Sequence, residues 1–257
     1  MNFKLGKKAA RLGAVSFKFG DFFNAAALPT PPTVFGHYAA AGAFGVLGND
    51  LYSDCVFAGA AHETMIWSKE GGRTVARFTE PDVLDDYAAV TGFDPNDLST
   101  DQGTDMQSAA SYRRKTGIRD SKNSRHVVDS YVALRVGDVD ELVLATWLTG
   151  AAGVGLQFPM QAMTQFKAGQ VWDVPAKPQM DGGHYVPCVG RNSAGNLLCV
   201  TWGRLQAMTP AFYERFSDEA LAYISLEILN AKNLSPEGFD ADGLRAALAK
   251  LDGTTST

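Results

Sequence analysis

Hydrophobic residues in the first half of the chain recur at helical spacing, between loops rich in glycine and polar residues. A cap at Ser53 or Asp54 leads into residues 55–67, which are mostly small and apolar, and two glycines follow a few residues later. Similar patterns, with polar residues before and glycine after them, run over 80–90 and 105–115. These segments predict three helices, and the apolar character of the first places it at the centre of the fold.

In the second half, apolar runs rich in β-branched residues replace the helical spacing. Residues 127–128, 131–134 and 153–158 predict strands, with a helix that Asp138 caps before the last of them. Two longer runs, 184–190 and 197–203, flank a polar turn and predict a hairpin. The pattern indicates an α+β protein, in which a helical lobe around one central helix is followed by an antiparallel β-sheet lobe.

The length and composition allow one large domain. With 257 residues, 46% of them hydrophobic, the chain can bury a full core. The change from helix to strand and the positions of proline and glycine divide it into an extended N-terminal arm (1–45), a main domain (46–234, with a helical half over about 46–135 and a sheet half over about 136–234) and a C-terminal tail (235–257) with a short helix at 244–251.

Charge and cysteine content exclude several classes of protein. The formal net charge is −5 and no run of five or more basic residues is present, so we expect no nucleic-acid partner. No apolar run reaches the roughly 20 residues of a membrane helix, and the first residues lack the apolar core of a signal peptide, so we expect a cytoplasmic product without a membrane span. The cysteines, Cys55, Cys188 and Cys199, are too few for a disulfide framework and lack the spacing of a zinc site. Neither a metal nor an organic cofactor is implied.

Cys55 is the first candidate for chemistry, because it lies in the first turn of the predicted central helix. A helix N-terminus stabilises anions, which lowers the pKa of a thiol and makes it a better nucleophile. The free N–H groups there, together with the side chain of Asn49, are suited to hold an oxyanion. Asp50 and Asp54 oppose this, since a nearby carboxylate raises the pKa of a thiol. The alternative is that Cys55 is a small buried residue of a core helix.

His184 is the second candidate. It begins an apolar strand directly after two glycines, where a histidine ring needs a polar partner; the alternative is a core or rim histidine. Trp202, near the end of the second strand of the hairpin, is expected either to cover the ring of His184 or to pack in the core. His62 lies about 10 Å along the helix axis from Cys55, which is too far for it to act as the base.

Two short segments resemble the papain-like cysteine peptidases. Residues Asn49–Ala61 are similar to the family's region from oxyanion residue to nucleophile, with Asn49 standing six residues before Cys55, where the family has glutamine. Residues 183–190, Gly-His-Tyr-Val-Pro-Cys-Val-Gly, are similar to the family's Gly-His-Ala-Val-x-x-Val-Gly strand. Residues 201–203, Thr-Trp-Gly, are similar to the end of its Asn-Ser-Trp-Gly strand.

The order of elements matches the family over about 46–228. The resemblance implies a papain-like fold that acts on a peptide or protein substrate. It further implies that Cys55 is the nucleophile, that His184 is the base and that Asn49 helps to hold the oxyanion.

One position departs from the family pattern. Papain-like peptidases have an asparagine two residues before the tryptophan, where it orients the histidine; this chain has Val200, which cannot accept that hydrogen bond. Thr201 is adjacent, but if His184 and Val200 share a face, strand alternation turns Thr201 to the other face. By the same alternation, Cys188 and Cys199 lie on opposite faces, as two packed thiols. A backbone carbonyl or a water is then left to orient His184.

Several segments also resemble a group of papain-like proteins encoded by bacteriophages and prophages; they are Gly48-Asn49-Asp50, Asp54-Cys55, Thr100 to Asp105, Thr116-Gly117-Ile118 and Val200 to Gly203. This resemblance implies a phage-encoded protein in the host cytoplasm, the virion or both.

Two functions stay open at this point. The first is a cysteine peptidase or amidase, in which Cys55 attacks a carbonyl and His184 transfers the proton. The second is a catalytically weak or inert papain-like fold that serves as a head, neck or tail component of a virion, bound to other virion proteins or to copies of itself. A third, smaller possibility is a protein that binds a ligand in the cleft without turning it over.

Overall fold

The computed structural model describes residues 3–11, 13–15, 18–22, 30–40, 43–230 and 235. Its helices are α1 (Phe19–Phe22), α2 (Cys55–Glu70), α3 (Glu80–Thr91), α4 (Met106–Lys115), α5 (Val139–Thr149), α6 (Met160–Lys167) and α7 (Pro210–Phe216). Its strands are β1 (Phe35–Gly36), β2 (Ile118–Arg119), β3 (Arg125–His126), β4 (Ser130–Ala133), β5 (Ala152–Pro159), β6 (Met180–Arg191), β7 (Leu197–Thr201), β8 (Arg204–Met208) and β9 (Ser217–Ile224). Within these ranges, no helix is both long enough and apolar enough to span a bilayer. The predicted tail helix, 244–251, lies outside the described residues.

The strands form one large antiparallel sheet and a small separate ribbon. The sheet runs in the order β4-β9-β5-β6-β7-β8, with β1 also paired to β6, while β2 pairs with β3. The predicted helices begin within a residue of α2, α3, α4 and α5, and the predicted hairpin is β6 with β7. The expectation of an α+β fold with an antiparallel sheet is confirmed.

The sequence pattern does not predict α6, α7, β8 or β9. Strand β9 lies inside the sheet between β4 and β5, and its last six residues are all buried. A strand that is covered on both faces shows no alternation of polar and apolar positions, so periodicity cannot separate it from a buried helix. Its place in the sheet depends on partners far away in the chain.

Each face of the sheet packs against its own set of helices. Tyr185 and Leu221 are on one face, in a buried cluster with the apolar residues of α2. Val154 and Val186 are on the other face, in a cluster with the apolar residues of α5 and α7. The central helix α2 is therefore covered on all sides, as its apolar sequence predicts, and 14 of its residues, Cys55 to Ser68, are buried.

Tyr185 locks α2 to the sheet. Its ring fills the space above two glycines, since a Cβ atom at Gly59 would lie 2.4 Å from the ring and one at Gly153 would lie 2.2 Å from the hydroxyl. The hydroxyl donates a 2.5 Å hydrogen bond to Glu63 on α2, which in turn forms a 2.6 Å ion pair with Arg113 on α4. Both charged side chains are almost fully buried, so each depends on the other for compensation.

Replacing Arg113 with methionine is expected to lower the free energy of unfolding by about 3–5 kcal/mol, because Glu63 then remains buried without its cation. Lys115→Met, two residues along the same helix at an exposed position, is the matched control and should change stability by less than about 0.5 kcal/mol. Urea unfolding monitored by circular dichroism measures both changes. Equal stability of the two variants would contradict the assigned role of the ion pair.

Candidate active site

Cys55 is the first residue of α2, and its side chain is buried where the helix meets the sheet. The backbone amides of Tyr185 and Gly6 lie close enough to its sulfur to lower the pKa of the thiol. Tyr185 directly follows His184 in β6, so the thiol and the histidine-bearing strand meet at this point. The structure thus brings together two segments that are more than a hundred residues apart in sequence.

Burial dominates the electrostatics of the thiol. It raises the pKa of Cys55 to about 12, while the two amides and the ammonium of Lys7 act in the opposite direction. Asp54, the N-cap residue of α2, makes no side-chain capping bond, and its own burial raises the pKa of its carboxyl well above the usual value. The sequence-based expectation that Asp54 opposes thiolate formation is retained, although burial is the larger cause.

The imidazole of His184 is held between a hydroxyl and an indole. Its Nε2 lies 2.8 Å from Oγ1 of Thr201, and its ring stacks on Trp202 with 4.4 Å between centroids. Its Nδ1 is buried and has no hydrogen-bond partner. Burial lowers the pKa of His184 to about 3, so the ring is neutral at physiological pH. When the ring proton is on Nε2 and is donated to Thr201, Nδ1 presents a free lone pair.

The sequence-based prediction for Thr201 is wrong, and the reason is the strand register. Cys188 of β6 lies directly opposite Cys199 of β7, so the two share a face of the sheet. Counting in twos from this pair puts both His184 and Thr201 on that same face. Val200 points the opposite way, into a separate buried cluster that includes Ile66. The assumption that His184 and Val200 share a face therefore fails.

The same register corrects the placement of the other two thiols. Cys188 and Cys199 lie opposite each other and on one face, not on opposite faces. Both are buried and free, as the prediction of two packed thiols requires. A bulge between Cys188 and Gly190 displaces the pairing farther along the strands.

Trp202 covers the His184 ring and also packs in the buried cluster of α5 and α7, so both alternatives considered for this residue hold. With Gly203 it forms the two-residue turn between β7 and β8, and both residues have positive φ, 44° and 78°. Such a turn favours asparagine or glycine, and a tryptophan there is costly. Packing of the indole on His184 and on Phe166, at 4.6 Å between centroids, offsets this cost.

Asn49 lies in the turn before α2, with its side chain directed at the protein itself. Its Nδ2 donates a 3.1 Å hydrogen bond to the carbonyl of Tyr52, and the side chain also contacts Asp54. His62, in the middle of α2, is buried, and its Nε2 lies 2.9 Å from the carbonyl oxygen of Gly45. Its role here is structural.

Residues 3–8, which we call the N-terminal segment, pack against the start of α2 and against β6. The amide of Gly6 donates a 3.1 Å hydrogen bond to the carbonyl of Gly183, and the carbonyl of Gly6 accepts a 2.9 Å bond from Thr104. Two residues earlier, the backbone amide of Lys4 donates a hydrogen bond to the carbonyl of Asn49. The segment therefore lies between the start of α2 and the start of β6, directly over the thiol.

Glycines make this close approach possible. A Cβ atom at Gly6 would lie 1.9 Å from the carbonyl oxygen of Ser53, and one at Gly183 would lie 2.1 Å from the carbonyl oxygen of Lys7. The sequence pattern predicts only an extended arm over residues 1–45 and so misses this contact. A signal is present in the glycines at 6 and 183, but glycine alone does not identify the chain it admits.

Several solved structures with a similar fold are cysteine proteases. Xylellain, a cysteine protease from Xylella fastidiosa, aligns with a TM-score of 0.61 and 12% identity over 88% of this chain and 99% of its own. A digestive procathepsin L2 proteinase from Tenebrio molitor larval midgut aligns at 0.57 and 15% identity, covering 80% and 72%. A cysteine protease of Carica candamarcensis in complex with E-64 aligns at 0.54 and 13%, covering 76% and 99%. The chain has the papain-like fold. No family model and no curated protein matches the sequence.

Removing the Thr201 hydroxyl is expected to destabilise the protein. In Thr201→Val both ring nitrogens of buried His184 lack a partner, which costs about 1–3 kcal/mol in the free energy of unfolding. Thr201→Ser keeps the hydroxyl and is the matched control, with a smaller loss from the missing methyl group. Urea unfolding compares the two, and nitrogen NMR of the His184 ring should show a changed Nε2 environment only in the valine variant. A valine variant as stable as the serine variant would show that the hydroxyl does not hold the ring.

Proposed function

We propose that this protein is a latent papain-like cysteine peptidase or amidase. Cys55 Sγ attacks the substrate carbonyl, His184 takes the thiol proton and returns it to the leaving amine, and water then releases the acyl group. Thr201 takes the orienting role that asparagine has in the family pattern. The first-turn amide of Cys55 holds the oxyanion, joined by Asn49 once its amide has turned away from Tyr52.

The observation that carries this proposal is the pairing of His184 with Thr201 beside the start of α2. The hydroxyl fixes the ring through Nε2 and leaves Nδ1 without a partner. An orienting group on one ring nitrogen and a free lone pair on the other is the arrangement that a general base for a thiol requires. The cysteine proteases among the structural neighbours support the same assignment.

Latency follows from the N-terminal segment. With the segment in place, burial keeps both partners neutral, since it raises the pKa of Cys55 to about 12 and lowers that of His184 to about 3. An ion pair between thiolate and imidazolium needs the opposite shifts. Departure of the segment admits water to the site, which ends the desolvation of both groups and leaves the helix N-terminus and the Tyr185 amide to stabilise the thiolate.

Gly6→Ala is expected to expel the segment, because its Cβ atom cannot coexist with the Ser53 carbonyl. Intact-mass spectrometry should then show alkylation of Cys55 by an epoxide electrophile at least about tenfold faster than in the unmodified protein. The unmodified protein should react faster as pH rises towards 12, since only the deprotonated thiol reacts. The opened variant should already react near pH 6, and His184→Ala added to it should remove that gain.

Two controls separate opening from unfolding. Gly20→Ala lies on the same arm with its nearest neighbour 3.9 Å from the new Cβ, and should label like the unmodified protein. Cys188 and Cys199 are buried in the sheet core and should stay unlabelled. An opened variant whose Cys55 reacts no faster than an ordinary thiol would contradict the proposed peptidase function.

One observation favours a second candidate, an inert papain-like module in a phage virion. The N-terminal segment is held by backbone hydrogen bonds on both sides, to Gly183 and to Thr104, as an integral part of the fold. In that case the chain acts through its surface, with other virion proteins or its own copies as partners, in the host cytoplasm and the virion. Cys55→Ala would then leave assembly into particles unchanged, whereas a peptidase required for maturation would leave precursor proteins uncleaved.

A further inference from the structure

The side chain of Lys7 occupies a buried acidic slot next to the thiol. Its Nζ lies 2.8 Å from a carboxylate oxygen of Asp218 and 3.9 Å from one of Glu219, and the lysine side chain is fully buried. Lys7 directly follows Gly6, whose backbone lies beside Cys55 and lowers the pKa of its thiol. The side chain in the slot therefore belongs to the residue that directly follows the one beside the Cys55 sulfur.

The slot is built from the backbone of the sheet. Glu219 pairs with Gly155, but the next paired residues are Ser217 and Leu156, so Asp218 is the extra residue of a bulge. Successive residues of a regular strand point to opposite faces, and the bulge relaxes this rule so that Lys7 contacts both carboxylates. A Cβ atom at Gly155 would lie 2.1 Å from Cε of Lys7, so only glycine leaves room for the aliphatic stem.

The charges in the slot are unequal, with two carboxylates facing one ammonium. One oxygen of Asp218, Oδ2, accepts hydrogen bonds from Lys7 at 2.9 Å and from Gln157 at 2.6 Å, while its Oδ1 faces the Lys7 ammonium at 2.8 Å without a hydrogen bond. Glu219 is mostly buried, and neither of its side-chain oxygens has a hydrogen-bond partner. Burial raises the pKa of Glu219 to about 7, while Lys7 acts to lower it. Without the Lys7 ammonium, the slot would hold one buried and one partly buried carboxylate, with Arg11 as the remaining cation that acts on Glu219.

We propose that this slot, formed by Gly155, Asp218 and Glu219, is a specificity subsite for a lysine or arginine side chain of a peptide substrate, and that Lys7 occupies it in place of the substrate. The inference rests on the proposed peptidase function. It assigns the substrate class as extended peptides with a small residue at the sulfur and a basic residue beside it. Arginine carries the same single positive charge as lysine, and its additional N–H groups offer donors for the Glu219 oxygens that have no hydrogen-bond partner.

Peptide binding tests the subsite without any need for catalysis. The full-length chain with Gly6→Ala, Lys7→Ala and Cys55→Ala has an opened cleft, an empty slot and no nucleophile. Fluorescein-labelled peptides Phe-Lys-Leu-Gly-X-Lys copy the N-terminal segment, with lysine, arginine, norleucine or glutamate at X. Fluorescence anisotropy should give dissociation constants at least about tenfold lower for lysine and arginine than for norleucine, and the highest for glutamate.

Variants of the slot identify the source of that preference. Adding Glu219→Gln or Gly155→Val should reduce the preference for lysine over norleucine to less than about threefold, the first by removing charge and the second by filling the slot. Asp181→Asn removes an exposed carboxylate from β6 and should leave the preference intact. Equal binding of the lysine and norleucine peptides, or a preference that survives Glu219→Gln and Gly155→Val, overturns the proposal.

A second measurement uses the segment in its natural place. Lys7→Leu should open the cleft and speed alkylation of Cys55, whereas Lys7→Arg should keep it closed. If Cys55 in the Lys7→Leu variant is alkylated as slowly as in the unmodified protein, the proposal that Lys7 closes the site through the slot is overturned. Charge-selective binding by a protein that never turns over a peptide would instead overturn the peptidase function alone, so the two failures are distinguishable.

Discussion

Tyr185 joins the helix that carries Cys55 to the strand that carries His184, and the geometry of the site depends on that joint. Its amide lies close to the thiol, its ring occupies the gap that Gly59 and Gly153 leave open, and its hydroxyl donates to Glu63. Because Glu63 is buried, a change in the distance between α2 and the sheet would remove the hydrogen bond that Tyr185 donates to it, while Arg113 on α4 still balances its charge. The interaction thus fixes position more than it adds stability.

Water exclusion is the second constraint. The N-terminal segment covers the start of α2 with backbone, so Cys55 and His184 are desolvated and held in their neutral forms. The same segment places a lysine ammonium against two carboxylates close to the thiol. Removing the segment would therefore change hydration, protonation and charge balance around Cys55 at the same time.

The register of one strand pair and a bulge in another strand decide which side chains meet. The register of β6 with β7, in which Cys188 faces Cys199, directs Thr201 to His184 and sends Val200 into a separate core. The bulge at Asp218 brings neighbouring residues of β9 to one cation. A shift of one residue in either place would reverse the facing of every side chain beyond it.

The sequence by itself determined the elements that local patterning controls, and through motif resemblance it indicated the fold. The apolar helix beginning at Cys55, the glycine-led strand at His184 and the cover provided by Trp202 are each readable within a few residues. Only the tertiary structure decided that Thr201 orients the histidine and that Gly6 and Lys7 occupy the cleft. Register and bulges arise from pairing between distant strands, and close backbone approach depends on a glycine and its remote neighbour together, so neither leaves a local pattern in the chain.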